Sequence, residues 1–170
     1  MTSADLLVDA FGRVKESVHA TVGGLGAAAL EYRPDAEANS IAWLVWHLTR
    51  VQDDHVSDVA GNEQIWTSGG WAERFRLPLE VHDTGYGHTP EQVASVKVDA
   101  ETLLGYYDAV HAQTEDFVQA VTEEELARIV DENWDPPVTL AVRLISVIDD
   151  DLEHAGQAAY LRGLYERKDG

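Results

Sequence analysis

The sequence predicts an all-α protein, a four-helix bundle in which a long crossover joins the second and third helices. Three observations support this prediction. Apolar residues recur at helical spacing in four stretches, residues that can cap helices precede most of those stretches, and no run requires a strand. The 170 residues suit one core, so we expect residues 1–170 to form a single domain.

The first two long helices are bounded by caps and glycines. The first is predicted from Ser3 to Val22, and a glycine cluster that begins at Gly23 ends it. Its apolar residues at helical spacing are Leu6, Leu7, Ala10, Val14 and Val18. After a short connector, Ser40 is the N-cap of a second helix that runs to Ala60 and stops at Gly61.

A connection of about 30 residues follows the second helix and contains the stretches WTSGGWAERFRLP and DTGYGHTPEQ. A loop of this length in a compact domain is unusual unless it crosses the bundle or carries function. Its length lets the third helix run parallel to the second. Asp99 is the predicted cap of that third helix, which extends to about Val121.

The last part of the chain contains a short helix and a long one. Thr122 and Glu125 form a capping-box pattern, which predicts a short helix. The run Asp135-Pro136-Pro137 then interrupts regular structure. Thr139 begins the last long helix, which reaches about Glu166.

The composition restricts the chemistry. The chain has no cysteine, so disulfides, thiolate metal sites and a protein thiol nucleophile are excluded. Any metal must be held by histidines and carboxylates, and any thiol chemistry needs a thiol from another molecule. The formal net charge is −19, from 31 acidic and 12 basic residues. Such a surface repels phosphate backbones and anionic lipids, so we expect no nucleic-acid or membrane partner.

The sequence also predicts a cytoplasmic protein. No window approaches the ~18–20 consecutive apolar residues that a membrane span needs. The N-terminal stretch MTSADLLVDAFGRVKES lacks the pattern of a signal peptide.

His47 and His154 lie at the same edge of the apolar stripes of the second and last helices. The stripe of the second helix contains Ile41, Leu44, Leu48, Val51 and Val59, and that of the last helix contains Leu140, Leu144, Val147, Ile148 and Ala158. This edge is near the core and reachable from outside. Taken alone, each histidine is either a hydrogen-bonded core residue or a metal ligand. Their matching positions in the two helices favour the interpretation that they bind a metal.

A carboxylate one turn before His154 can complete a metal site. Asp150 precedes His154 by four residues, which places their Cβ atoms ~5–6 Å apart on one helix face. Asp151, three residues before, is also within reach, whereas Asp149 points away. Two imidazoles and one carboxylate suit zinc, nickel or iron and leave a position open for water or substrate.

Three further residues are candidates for cofactor binding. Arg50 and Arg143 flank the predicted ligands, where each either steadies a carboxylate of a bound molecule or forms a surface salt bridge. Trp43 is either a packing residue or a pocket wall. Of the other histidines, His55 is predicted to pack against the core, and His88 lies in the crossover connection.

At these residues the sequence resembles the DinB-like superfamily, in particular its thiol-dependent transferase branch. The stretch NSIAWLVWHLTRVQDDHV is similar to the family's second helix, with His47 at the position of its first metal ligand. The stretch DDLEHAGQAAYLRGL is similar to the family's last helix, in which an acid or a histidine comes four residues before a ligand histidine. The resemblance therefore implies the metal ligands His47, Asp150 and His154. Helical phase alone places Asp151 deeper in the apolar arc.

The resemblance also implies a function. It implies a metal-dependent S-transferase that binds zinc or a similar ion, uses a low-molecular-weight thiol, and in many relatives forms a homodimer. The thiol is mycothiol or bacillithiol, and this sequence leans towards the mycothiol users, with a small electrophile as second substrate. Related maleylpyruvate isomerases usually carry a further C-terminal domain, so we expect a transferase. A non-catalytic metal-binding structural or stress-response bundle and a metal-dependent hydrolase are the alternatives.

Overall fold

The computed structural model describes residues 1–168, and most of them are helical. Four long helices form a bundle, and short elements lie in the connections. In chain order the elements are α1 (Ser3–Val22), α2 (Ala27–Leu30), α3 (Ile41–Ala60), α4 (Ile65–Ser68), α5 (Trp71–Phe75), α6 (Pro90–Ser95), α7 (Ala100–Ala120), α8 (Glu123–Leu126), β1 (Ile129–Asp131), β2 (Val138–Thr139) and α9 (Leu140–Arg167). None of the helices among these residues has the length and apolar character needed to cross a membrane.

A side-chain cap begins each of the four long helices. The caps are Thr2, Ser40, Asp99 and Thr139, and the side-chain oxygen of each accepts a hydrogen bond from the backbone N–H three residues later. The predicted caps at Ser40 and Asp99 are confirmed, and Thr139, predicted as the start of the last long helix, is its N-cap. Gly61 ends α3 with a φ of 71°, a left-handed conformation that favours glycine.

Two apolar clusters show the direction of each long helix. One cluster combines residues 14–22 of α1, 41–48 of α3, 103–110 of α7 and 155–161 of α9. The other cluster combines the opposite ends of the same helices. Therefore α1 and α9 run in one direction, and α3 and α7 run in the other.

The crossover connection makes α3 and α7 parallel. Both α1 and α3 pack against α7 and α9, so α1 and α3 occupy opposite corners of the bundle. The chain between Gly61 and Asp99 returns from the end of α3 to the level at which α3 began. The predicted four-helix bundle with a long crossover is thus confirmed.

A buried ion pair on α3 holds this connection in place. The carboxylate of Asp53, which is 2% exposed, accepts hydrogen bonds at 2.7 and 2.8 Å from two backbone N–H groups at the start of α4. The hydroxyl of Tyr106 on α7 donates to the same carboxylate at 2.8 Å. Arg50, fully buried and 3.5 Å from Asp53, donates from Nε to the carbonyl of Asp83 at 3.1 Å. The pair thereby ties α3 to the first and middle parts of the connection.

The sequence did not predict the small antiparallel sheet of β1 and β2. These strands have three and two residues, too few to show an alternating pattern. They enclose the Asp135-Pro136-Pro137 run, which was predicted only as a break. Arg143 of α9 donates from Nη2 to the carboxylate of Asp131 at 3.1 Å and so holds the hairpin against the bundle.

Candidate metal centre

His47, Asp150 and His154 lie together between α3 and α9, two helices that pack against each other. One potential ligand atom from each residue lies within 4.8 Å of the other two. No further group of three or more such side chains occurs in the part of the chain that the structure describes. Asp150 and His154 are one turn apart on α9, as the helical spacing predicted, and His47 faces them from α3.

The imidazole of His47 is oriented by the crossover connection. Its Nδ1 lies 2.5 Å from the carbonyl oxygen of Thr84, which can only accept a hydrogen bond. The proton of the neutral ring is therefore on Nδ1, and the lone pair of Nε2 is available for a metal ion. Burial lowers the pKa of His47, despite the opposing effect of the hydrogen bond to Thr84. The side chain is thus kept in the neutral form that binds metals.

His154 also carries its proton on Nδ1, because of a hydrogen bond within its own helix. Its Nδ1 donates to the backbone carbonyl of Asp150, one turn earlier, at 2.8 Å. Its Nε2 therefore carries the lone pair. The rings of His47 and His154 meet edge to face, with centroids 4.8 Å apart.

The carboxylate of Asp150 supplies negative charge to this pair. Its Oδ2 is buried, has no hydrogen-bond partner, and lies 3.6 Å from Nδ1 of His154. A buried carboxylate oxygen without a partner is costly unless a cation compensates it. Two neutral imidazoles and one such carboxylate are a donor set that suits a divalent metal ion with an open coordination position.

Asp151 faces the interior of the bundle. It is fully buried, and neither of its carboxylate oxygens has a hydrogen-bond partner. Burial, and then the nearby Asp150, raise the pKa of Asp151 well above its usual value. Helical phase therefore correctly placed Asp151 deeper in the bundle. Asp150, and not Asp151, lies close enough to both histidines to share a metal ion with them.

Trp43 packs behind the histidines. Its ring stacks on that of His47, with centroids 4.6 Å apart and planes 13° apart, and the side chain is 6% exposed. Its Nε1 donates to Nδ1 of His88 at 3.0 Å. Since Nδ1 of His88 accepts, its Nε2 donates to Asp83, at 2.9 Å. The pKa of Asp83 is lowered because hydrogen bonds from His88 and from the backbone N–H of Gly85 outweigh the opposing effect of partial burial.

Gly85 allows the connection to approach the histidine closely. Its φ of 95° lies in the region that favours glycine. A Cβ at this position would lie 2.8 Å from Nδ1 of His47, 3.0 Å from the Trp46 ring and 3.2 Å from the Trp43 ring. No sequence pattern singled out Asp83, Thr84 or Gly85, and His88 was predicted only to lie in a loop. The glycines and polar residues of DTGYGH are the only local signal of this tight turn.

A pocket of 660 Å³ is lined by two of the three candidate ligands, His47 and Asp150. Its inner wall includes His47, Thr84 and Asp150. Its apolar and aromatic wall is formed by Tyr86, Trp134, Val138 and Val142, of which Tyr86 and Trp134 are 94% and 66% exposed. An adjoining pocket of 540 Å³ is lined mainly by polar groups, including those of Asp54, Ser57, Asp58, Asn62, Gln64 and Asn133.

The two arginines proposed from the sequence occupy different environments. Arg50 is completely buried in the ion pair with Asp53 and lines neither pocket, so it is not at the surface. Arg143 lines both pockets, and its Nη1 lies 2.7 Å from Nδ1 of His55. The packing role predicted for His55 does not describe its position, because its side chain is 38% exposed and lines both pockets.

Comparison with known proteins shows the family to which the chain belongs. Residues 6–167 match the family described as Mycothiol-S-transferase. The chain is also similar to the crystal structure of a conserved protein from Enterococcus faecalis, with 36% sequence identity, coverage of 96% of this chain and 97% of that chain, and a TM-score of 0.89. Comparison with curated proteins gives no significant match. The matched residues include α3, α7 and α9 in full, α1 from its fourth residue, and the three candidate ligands.

Proposed function

This chain belongs to the mycothiol-S-transferase family, and we propose that it is a metal-dependent transferase that joins a low-molecular-weight thiol to small electrophiles. The observation that carries the proposal is the His47, Asp150 and His154 group, of which His47 and Asp150 line an open pocket, in a chain without cysteine. The family match favours mycothiol as the thiol.

The proposed ligands are Nε2 of His47, Nε2 of His154 and the carboxylate of Asp150, and zinc suits this set best. A divalent ion held by these residues would lower the pKa of a thiol that binds it, and the sulfur would then react as the thiolate at neutral pH. The protein's own contribution is orientation. Thr84 and the backbone carbonyl of Asp150 fix the two imidazoles, and the Trp43 ring supports that of His47.

The two adjoining pockets suit two substrates of different character. The polar pocket offers carboxylates, amides and a hydroxyl group that can hydrogen-bond the hydroxylated body of a sugar-containing thiol. The wall of Tyr86, Trp134, Val138 and Val142 suits the apolar part of an electrophile. Both pockets are lined by Asp54, His55, Asp131 and Arg143, so two molecules bound in them would meet at these residues, and the larger pocket continues to His47 and Asp150.

Cobalt-substituted protein provides the test. Sulfur bound to cobalt gives a charge-transfer band in the near ultraviolet, and we expect mycothiol to produce it. Metal-loaded protein should then convert a panel of electrophiles, and metal-free protein should give neither band nor turnover. Absence of the band at saturating thiol, or equal turnover after removal of the metal, would disprove the proposal. A band without turnover would favour a non-catalytic metal protein, and turnover without thiol would favour a hydrolase.

Variants of the ligands sharpen this test. His47→Ala, Asp150→Ala and His154→Ala should each lose most of the bound metal and retain helicity, because the three side chains lie at the rim of the core. Asp149→Ala is the matched control, since Asp149 is exposed and adjacent to Asp150 but outside the group. Elemental analysis and circular dichroism measure the two properties. Full metal content in His47→Ala would contradict the ligand assignment.

A further inference from the structure

His55 and Arg143 form a hydrogen-bonded pair where the two pockets meet. Nη1 of Arg143 lies 2.7 Å from Nδ1 of His55, and Nη2 donates to Asp131 at 3.1 Å. A guanidinium has only donors, so Nδ1 of His55 must accept. The neutral ring of His55 consequently carries its proton on Nε2.

Protonation of His55 would turn this contact into a repulsion. A proton on Nδ1 would face a donor N–H, and two positive charges would be adjacent. Burial, and next the charge of Arg143, lower the pKa of His55. The carboxylates of Asp54, Asp58 and Asp150 act in the opposite direction without reversing the shift. The tautomer with hydrogen on Nε2 is thus the form present at neutral pH.

The Nε2–H group of His55 is free to contact a bound molecule. Nothing in residues 1–168 forms a hydrogen bond with it, and the side chain borders on both pockets. The guanidinium of Arg143, by contrast, is held by His55 and Asp131, and the Arg143 side chain is only 17% exposed. His55 is therefore the neutral donor that this part of the pocket offers to a substrate.

We infer that His55 is a catalytic residue whose Nε2–H stabilises the atom of the electrophile on which negative charge develops. This inference rests on the proposed function and adds a substrate class to it. Asp54, Asp131 and Asp150 around the pocket disfavour an anionic electrophile, and the aromatic and aliphatic wall favours an apolar one. An uncharged α,β-unsaturated carbonyl compound meets both conditions, and its carbonyl oxygen accepts one hydrogen bond from His55.

The electrons and protons of this addition balance. The thiol first gives its proton to solvent. The thiolate sulfur then forms a bond to the β-carbon, the carbon–carbon π bond breaks, and the charge moves to the carbonyl oxygen, where Nε2–H of His55 stabilises it. Water finally gives a proton to the α-carbon, which matches the proton that the thiol lost. No group leaves, and no oxidant or reductant is needed.

Kinetics of His55 variants test this role. In metal-loaded protein with mycothiol and 2-cyclohexenone, His55→Leu should lower kcat/KM by about 10²-fold, because one preorganised donor is lost. His55→Gln should recover much of the rate, because its amide N–H extends to a similar position. Metal content and the cobalt–sulfur band should remain unchanged in both. His82→Leu, which alters an exposed histidine outside both pockets, is the control and should match the wild type.

Nitrogen-15 NMR of metal-free protein provides a readout that needs no activity. The His55 shifts at neutral pH should show hydrogen on Nε2, and Arg143→Met should introduce the other tautomer. Hydrogen on Nδ1 in the wild type, or wild-type kcat/KM in His55→Leu while the cobalt band persists, would overturn the role of His55. Absence of the band in the wild type would instead overturn the proposed function.

Discussion

Replacing Gly85 by alanine tests how the connection supports the candidate metal centre. The new Cβ would lie 2.8 Å from Nδ1 of His47 and 3.0 and 3.2 Å from two tryptophan rings, all of them confined by packing. The positive φ costs a residue with a Cβ about 1–2 kcal/mol, and overpacking costs about 1–3 kcal/mol more. We expect Gly85→Ala to lower the free energy of unfolding by about 2–5 kcal/mol.

Gly87 is the matched control for this substitution. Its φ of 73° is also positive, but a Cβ there would meet no atom within 4 Å. Gly87→Ala should therefore lose only the conformational part, about 1–2 kcal/mol. Urea denaturation of the metal-free proteins measures both free energies of unfolding.

Metal affinity gives the second readout of the Gly85 substitution. The Cβ must displace either the Thr84 carbonyl or the imidazole of His47, and the loss of such a supporting hydrogen bond reduces metal affinity by about 10–100-fold. Competitive zinc titration should show this loss in Gly85→Ala and not in Gly87→Ala. Equal unfolding free energies for the two variants, or wild-type zinc affinity in Gly85→Ala, would refute the reasoning.

Three further expectations concern the ion pairs and the surface. Arg50→Met should lower the free energy of unfolding by about 3–5 kcal/mol in denaturant titrations, because Asp53 would remain as a buried charge without its partner; a loss below 1 kcal/mol would contradict this. The lowered pKa of Asp83 means that its stabilisation is present above its ordinary pKa of 3.8 and is lost as pH falls through the lowered value. Asp83→Asn should accordingly cost about 1–2 kcal/mol at pH 7, and its difference from the wild type should shrink at pH 3. Finally, fluorescence anisotropy should detect no binding of duplex DNA at physiological salt, given the net charge of −19, and micromolar affinity would contradict the electrostatic argument.

The long helices were predictable because their signals are local. Ser40, Asp99 and Thr139 act within one turn of their own position, and the helical repeat of apolar residues describes each helix without knowledge of its neighbours. The crossover was predictable from length alone. The strands β1 and β2 were not predictable, because they have only three and two residues and are defined by their pairing with each other.

The environment of the candidate centre was less predictable than its members. The four-residue spacing predicted that Asp150 and His154 share one face of α9. His47 was predicted as a ligand because it lies at the same edge of the apolar stripe of α3 as His154 does in α9. The contacts of Thr84 and Gly85 with His47 join residues that are distant in sequence, and no periodic pattern in the connection reports them. Arg50 was expected near the surface because an isolated charge is costly inside a protein. Its burial became understandable only with Asp53, three residues later, as its partner.

The arrangement of the four long helices has a consequence for how the chain folds. Within residues 1–168, the main helix contacts join α1 to α7 and α9, and α3 to α7 and α9. The long helices that are consecutive in sequence thus either occupy opposite corners or, like α3 and α7, run parallel across a long connection. No pair of consecutive long helices in this range can form a local antiparallel hairpin as an early folding nucleus. The rate-limiting step must close large loops, so we expect slower folding than in simple up-and-down bundles of similar size.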